Sequence, residues 1–163
     1  MIVHHSTPIG ELVIGTRQGK LVLCDFAMRR GGVERSMLLT APSEEMTDED
    51  LIDTVKRQLD EYFSSRRQSF DLPVEYSGTE NAKMVWKALS SIPYGQTVTY
   101  SRIAQFIRNP KAVRSVASCI GRNPLAVIVP CHRVIGTDGK LHGYAGGLEV
   151  KRLLLNLEGL RFY

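Results

Sequence analysis

The chain has 163 residues, 43% hydrophobic and 23% charged, which is enough to bury the core of one domain or of two small ones. Its net charge of +4 is unevenly spread: residues 1–79 hold nine Lys and Arg against thirteen Asp and Glu, and residues 80–163 hold twelve against four. No apolar run is long enough to span a bilayer and the first residues do not form a secretory leader, while Cys24, Cys119 and Cys131, with no Cys-x-x-Cys pair, argue against a disulfide framework or a cysteine-rich zinc site. The expectation is a soluble, cytoplasmic protein (nuclear if the source is eukaryotic) whose basic half suits a polyanion as well as it suits an unevenly charged solvated surface.

In chain order, Glu11-Leu12-Val13-Ile14-Gly15 and Lys20-Leu21-Val22-Leu23-Cys24-Asp25-Phe26, joined through Thr16-Arg17-Gln18-Gly19, predict a hairpin. Thr47-Asp48-Glu49-Asp50 reads as a helix start, and Leu51, Val55, Leu59, Tyr62 and Phe63 recur at helical spacing, so a helix is predicted over 48–64. Phe70, Leu72 and Val74 alternate as a short strand that would return to the hairpin. These elements make a small α/β unit in which nothing looks catalytic, and His4, His5 and Cys24 match no metal-ligand spacing.

From residue 80 the pattern becomes helical. Met84, Val85, Ala88, Leu89 and Ile92 mark one apolar face, ended by Pro93-Tyr94-Gly95. A second helix opens near Thr99, turns Ile103, Ala104 and Ile107 inward, and stops at Asn109-Pro110. In a third, Val113, Val116, Ala117 and Ile120 fall at i, i+3, i+4 and i+7, leaving Lys111, Arg114, Ser115, Ser118 and Arg122 toward the other side. Two short helices across a tight turn fit a helix-turn-helix, and also an ordinary helical hairpin.

Chemistry concentrates in Pro130-Cys131-His132-Arg133, which follows the apolar run Leu125–Val129, expected as a strand that Pro130 ends. A thiolate attacks where a thiol barely does, and His132, Arg133 or Arg122 could lower a pKa that starts near ~8.5. Without such neighbours Cys131 would read as a small buried hydrophobe.

Five segments, in order, carry a specific resemblance: Ile92-Pro93-Tyr94-Gly95, Asn123-Pro124, Ile128-Val129-Pro130-Cys131-His132-Arg133-Val134-Ile135-Gly136, Gly143-Tyr144-Ala145-Gly146-Gly147 and Leu155-Asn156-Leu157-Glu158-Gly159. Over about residues 84–159 the chain resembles the O6-alkylguanine-DNA alkyltransferase family. The resemblance implies an α+β fold: a small ribonuclease-H-like N-terminal α/β domain over 1–79, structural in role, then a mainly helical C-terminal domain over 80–163 with a winged-helix-like helix-turn-helix. It implies the stand-alone repair form, irreversibly moving an alkyl group from O6-alkylguanine, and possibly O4-alkylthymine, in double-stranded DNA to Cys131.

Further roles follow from the resemblance alone. His132 is the base, oriented by Glu158; Tyr100 helps neutralise the departing base; Asn123 is a hinge. Tyr144, Ala145, Gly146 and Val134 shape the pocket, Ala145 standing where relatives often have serine. Arg114 fills the stack after a nucleotide is flipped out, with Ser115, Ala117, Ser118 and Arg122 along the DNA. The resemblance implies a monomer with no cofactor, no metal, no membrane and no obligate protein partner. Gly78-Thr79-Glu80-Asn81-Ala82-Lys83 departs from the aromatic and glutamine common at that point. The rival readings are a lesion-binding sensor, a helix-turn-helix regulator and a cysteine hydrolase, the last disfavoured by the adjacency of Cys131 and His132.

Overall fold

The computed structural model describes residues 1–28 and 47–162, and the chain packs as two compact units, residues 1–76 and 77–163. In the first unit β1 (Ile2–Thr7), β2 (Gly10–Arg17) and β3 (Lys20–Phe26) form an antiparallel sheet in that order. The expected hairpin is β2–β3. It turns on Gln18 and Gly19, both at positive φ (50° and 73°), the backbone conformation whose twist matches that of the flanking strands. Strand β1 carries no signal of its own, because His4-His5-Ser6-Thr7 lacks apolar alternation; tertiary pairing fixes it, with Ile2 opposite Gly15 and Thr7 opposite Gly10.

Helix α1 (Thr47–Phe63) matches the predicted helix, and Leu51, Val55, Leu59 and Tyr62 are its buried face. The predicted strand at Phe70–Val74 shrinks to a single bridge between Val74 and Leu21. Two features prevent a ladder. Pro73 has no N–H to give, and the Gln58 carboxamide engages the backbone of Asp71 on both sides, accepting from its N–H and donating to its carbonyl at 3.0 Å each. The alternation itself is present, since Phe70, Leu72 and Val74 are half-buried between exposed neighbours. His4 faces Glu11, His5 faces Asp60, and Cys24 is wholly buried, with desolvation and then Asp25 pushing its thiol pKa up. Among the described residues no group of three or more His, Cys, Asp or Glu is arranged to hold a metal ion.

The second unit begins with α2 (Glu80–Ser90), capped by Thr79, whose hydroxyl accepts from the Ala82 N–H at 3.1 Å. Val85, Ala88, Leu89 and Ile92 are buried as expected, but Met84 is 50% exposed. The missing bulk comes from Trp86, buried two residues on, whose indole N–H donates to the Cys119 carbonyl at 2.9 Å. Gly78 lies under that ring; a Cβ there would come within 2.7 Å of it, so glycine is required where the sequence departs from the commoner pattern.

A parallel pair, β4 (Val98–Thr99) with β5 (Val134–Ile135), ties the entry of α3 (Tyr100–Phe106) to the segment after Cys131. Thr99 caps α3, and Ile103, Ala104 and Ile107 are buried. In α4 (Val113–Gly121) Val116, Cys119 and Ile120 are buried, whereas Val113 and Ala117, expected on the same face, are half-buried because that edge borders a cleft. A final helix, α5 (Leu148–Leu157), opens after Gly147, which is at φ 95°. Among the described residues no helix is long and apolar enough to cross a membrane.

Candidate active site

The apolar run Leu125–Val129 is not the strand expected from its composition. Asn123, itself buried, clasps it: the side-chain amide donates to the Val129 carbonyl at 2.9 Å and the side-chain oxygen accepts from the Leu125 N–H at 3.0 Å. Within the clasp the Ile128 N–H bonds to the Ala126 carbonyl around Val127, held at φ 70°. This left-handed γ-turn on a β-branched residue is strained. A second γ-turn of the opposite hand follows at Pro130 (φ −81°, ψ 63°), where the Cys131 N–H bonds to the Val129 carbonyl at 2.8 Å. Cys131 then opens one turn of 3-10 helix, Cys131–Arg133.

Cys131 lines a cleft of about 680 Å³ lying wholly within the second unit. Tyr100 and Ser101 of α3 border it, together with Arg114 and Ala117 of α4, Asn123, and Tyr144 and Ala145 from the loop before α5. Ser115, Ser118 and Arg122 are exposed at α4 and just beyond it. Arg122 places a guanidinium nitrogen 3.5 Å from the Cys119 sulfur. Val134 is fully buried in β5 and Gly146 sits in the turn before α5; neither borders the cleft.

A buried ion cluster adjoins Cys131. The Glu158 carboxylate receives His132 Nε2 at 2.6 Å, Arg133 Nε at 2.8 Å, Arg133 Nη2 at 3.1 Å and the Gly95 N–H at 3.1 Å, while Arg133 Nη1 donates to the Ile92 carbonyl at 2.6 Å. The Tyr94 ring lies under the Arg133 guanidinium, 5.7 Å from its centroid. His132 is fully buried, and desolvation lowers its pKa against the opposing pull of Glu158. The neutral imidazole therefore carries its proton on Nε2, facing the carboxylate, which leaves Nδ1 as an acceptor. Among the described residues that Nδ1 has no hydrogen-bond partner.

A pH effect follows. The unfolded chain takes a proton on this histidine near ~6.5, and the folded state resists it to lower pH. Stability from His132 is thus fully present above the unfolded value and lost as pH falls through the lower folded one. Urea midpoints at about pH 7.5 and 5.5 should fall more for the wild type than for His132→Gln; equal falls would show that this imidazole is not the group that resists protonation.

Sequence reasoning missed Lys151. It is buried in α5, donates to the His142 carbonyl at 2.7 Å, and lies 5.8 Å from the Tyr100 ring centroid. Burial lowers its pKa to about 8, partly offset by Cys131. Tyr100 donates to the same carbonyl at 3.3 Å, and burial followed by the charge of Cys131 raises its pKa. The available signal was positional: Lys151, Leu154, Leu155 and Glu158 fall at i, i+3, i+4 and i+7, so two charged residues occupy the buried face of an otherwise apolar stripe.

Fold and cleft together define a helix-turn-helix protein whose second helix opens onto a cysteine next to a buried histidine–glutamate pair. Residues 80–160 match the 6-O-methylguanine DNA methyltransferase DNA-binding domain, and residues 5–76 its ribonuclease-like domain. The methylated-DNA–protein-cysteine methyltransferase of Methanosarcina acetivorans is 44% identical over 94% of this chain and 95% of its own. The constitutive enzyme of that name from Bacillus subtilis is 39% identical over 96% and 94%. A crystal structure of Mycobacterium tuberculosis OGT in complex with DNA superposes with a TM-score of 0.81 at 38% identity, covering 95% of this chain and 90% of the other. The chain belongs to the 6-O-methylguanine DNA methyltransferase family.

Proposed function

We infer that the protein repairs DNA directly, moving an alkyl group from guanine O6 in a double helix to Cys131 in a single irreversible turnover. The observation that carries this reading is a cysteine in a cleft beside α4, adjacent in sequence to a buried imidazole whose tautomer is set by a carboxylate. An O6-alkyl group sits on the paired edge of the base, so the nucleotide must leave the stack before sulfur can reach its carbon. The exposed face of α4 lies along the minor groove, Ala117, Ser115 and Ser118 allowing close approach, Arg122 adding charge and Arg114 filling the gap left in the stack.

In the cleft, the thiol proton passes through water to Nδ1 of His132, and Glu158 stabilises the imidazolium that forms. The thiolate pair makes the S–C bond as the C–O6 bond breaks, the electrons return to the guanine ring, and the Tyr100 hydroxyl offsets the charge there. Tyr144, Ala145, Gly146 and Val134 form and back the pocket, and Asn123 holds the turn that presents the thiol. A thioether has no leaving ability, so nothing regenerates Cys131. The repair chemistry belongs to residues 80–163, residues 1–79 are structural, and the protein acts as a monomer in the nucleic-acid-containing compartment of the cell.

Intact-protein mass after incubation with a duplex bearing one O6-methylguanine tests this reading. The expected result is one methyl group gained per chain, absent in Cys131→Ala. Tight lesion binding with unchanged mass would instead identify a damage sensor.

A further inference from the structure

Resting on that reading, the loop between β5 and α5 carries a feature that the transfer chemistry does not use. His142 and Asp138 stand at the mouth of the cleft, with His142 Nε2 at 3.0 and 3.1 Å from the two Asp138 carboxylate oxygens. The pair is seated on Gly136: a Cβ there would fall 2.4 Å from the imidazole and 2.5 Å from the carboxylate, so the ring occupies the space a larger residue would need. The turn is closed beneath it by the Gly136 N–H to the Lys140 carbonyl and the Lys140 N–H to Asp138 Oδ1, both at 3.0 Å. The carbonyl of this same His142 receives both the Tyr100 hydroxyl and the Lys151 ammonium.

We propose that the Asp138–His142 pair is a clasp on the lip of the base pocket, and that its closure positions Tyr100 and Tyr144 for the flipped nucleotide. One backbone carbonyl couples the clasp to Tyr100, and the loop runs on directly into Tyr144. Both partners are about half exposed, at 53% and 49%, so the pair adds little to global stability and its effect is one of placement. The other charged or titratable groups around it are Lys140 on the same turn, Tyr144 further along the loop, Tyr100 from α3, Arg114 from α4, Lys151 from α5 and Cys131 in the cleft. All of them remain in Asp138→Asn, so the ratio of wild-type to variant rates isolates the clasp.

The test is the second-order rate of methyl transfer from an O6-methylguanine duplex, with thermal midpoints alongside, for wild type, Asp138→Asn and Gly136→Ala. The wild type should outpace Asp138→Asn by roughly ten-fold, with thermal midpoints nearly equal. Gly136→Ala should show the same pattern. Equal rates, or a loss of rate matched by a loss of thermal midpoint, overturn the clasp while leaving the repair reading intact; failure of the wild type to gain a methyl group overturns that reading itself.

Discussion

Glu158→Gln is expected to lower folding stability by about 3–5 kcal/mol, because removing one partner of a buried ion cluster leaves the other charge without its counter-ion. The carboxylate is the single acceptor on which His132, Arg133 and the Gly95 N–H converge. A glutamine offers one oxygen and must turn an N–H₂ toward a donor, so at least one buried donor loses its bond. The imidazole tautomer is no longer enforced, and transfer should slow by roughly 10²–10⁴, the range for loss of a working general base. Urea unfolding at neutral pH and the rate of mass gain measure the two effects separately. A variant within about 1 kcal/mol of wild type would show that Arg133 finds compensation elsewhere.

The second large effect belongs to Asn123→Ala. Its carboxamide accepts from the buried Leu125 N–H, which costs about 1–3 kcal/mol to leave unpaired, and gives the Val129 carbonyl a second donor beside the Cys131 N–H. The kinetic loss should exceed what stability alone explains. With the carboxamide gone, the left-handed turn at Val127 keeps its backbone bonds but loses the side chain that bridges its two ends, and the Val129 carbonyl, which also accepts the Cys131 N–H, is less firmly placed. A displacement of the sulfur by an ångström is enough for roughly a 10²-fold loss in transfer. Rates measured well below the variant's melting point test this. An unchanged rate in a destabilised variant would reduce Asn123 to a turn former.

What could be read in the sequence, and what could not, divides along physical lines. Helices with a sustained apolar period were legible, α1 nearly to the residue, because burial of one face depends on spacing alone. β1 was not, since it is set by a partner strand rather than by its own residues. The Leu125–Val129 run misled because composition cannot reveal that an asparagine two residues earlier will fold it into paired γ-turns. At the site, Cys131, His132 and Glu158 came from a recognisable ordered motif. The roles of Arg133 and Lys151 needed three-dimensional contacts, although two charges on the buried stripe of α5 were a readable anomaly. His142 and Asp138 left no mark in the sequence, since an exposed pair four residues apart is common on any loop.

The order of the chain adds a consequence for synthesis. Cys131 emerges from the ribosome before Glu158, and α5, which ends just before that glutamate, is a late element of the second unit. Until that helix docks, His132 has no carboxylate to select its tautomer, and the thiol is an ordinary cysteine. A nascent or truncated chain is therefore protected from wasting its one acceptor on stray electrophiles, and reactivity appears only once the domain is whole.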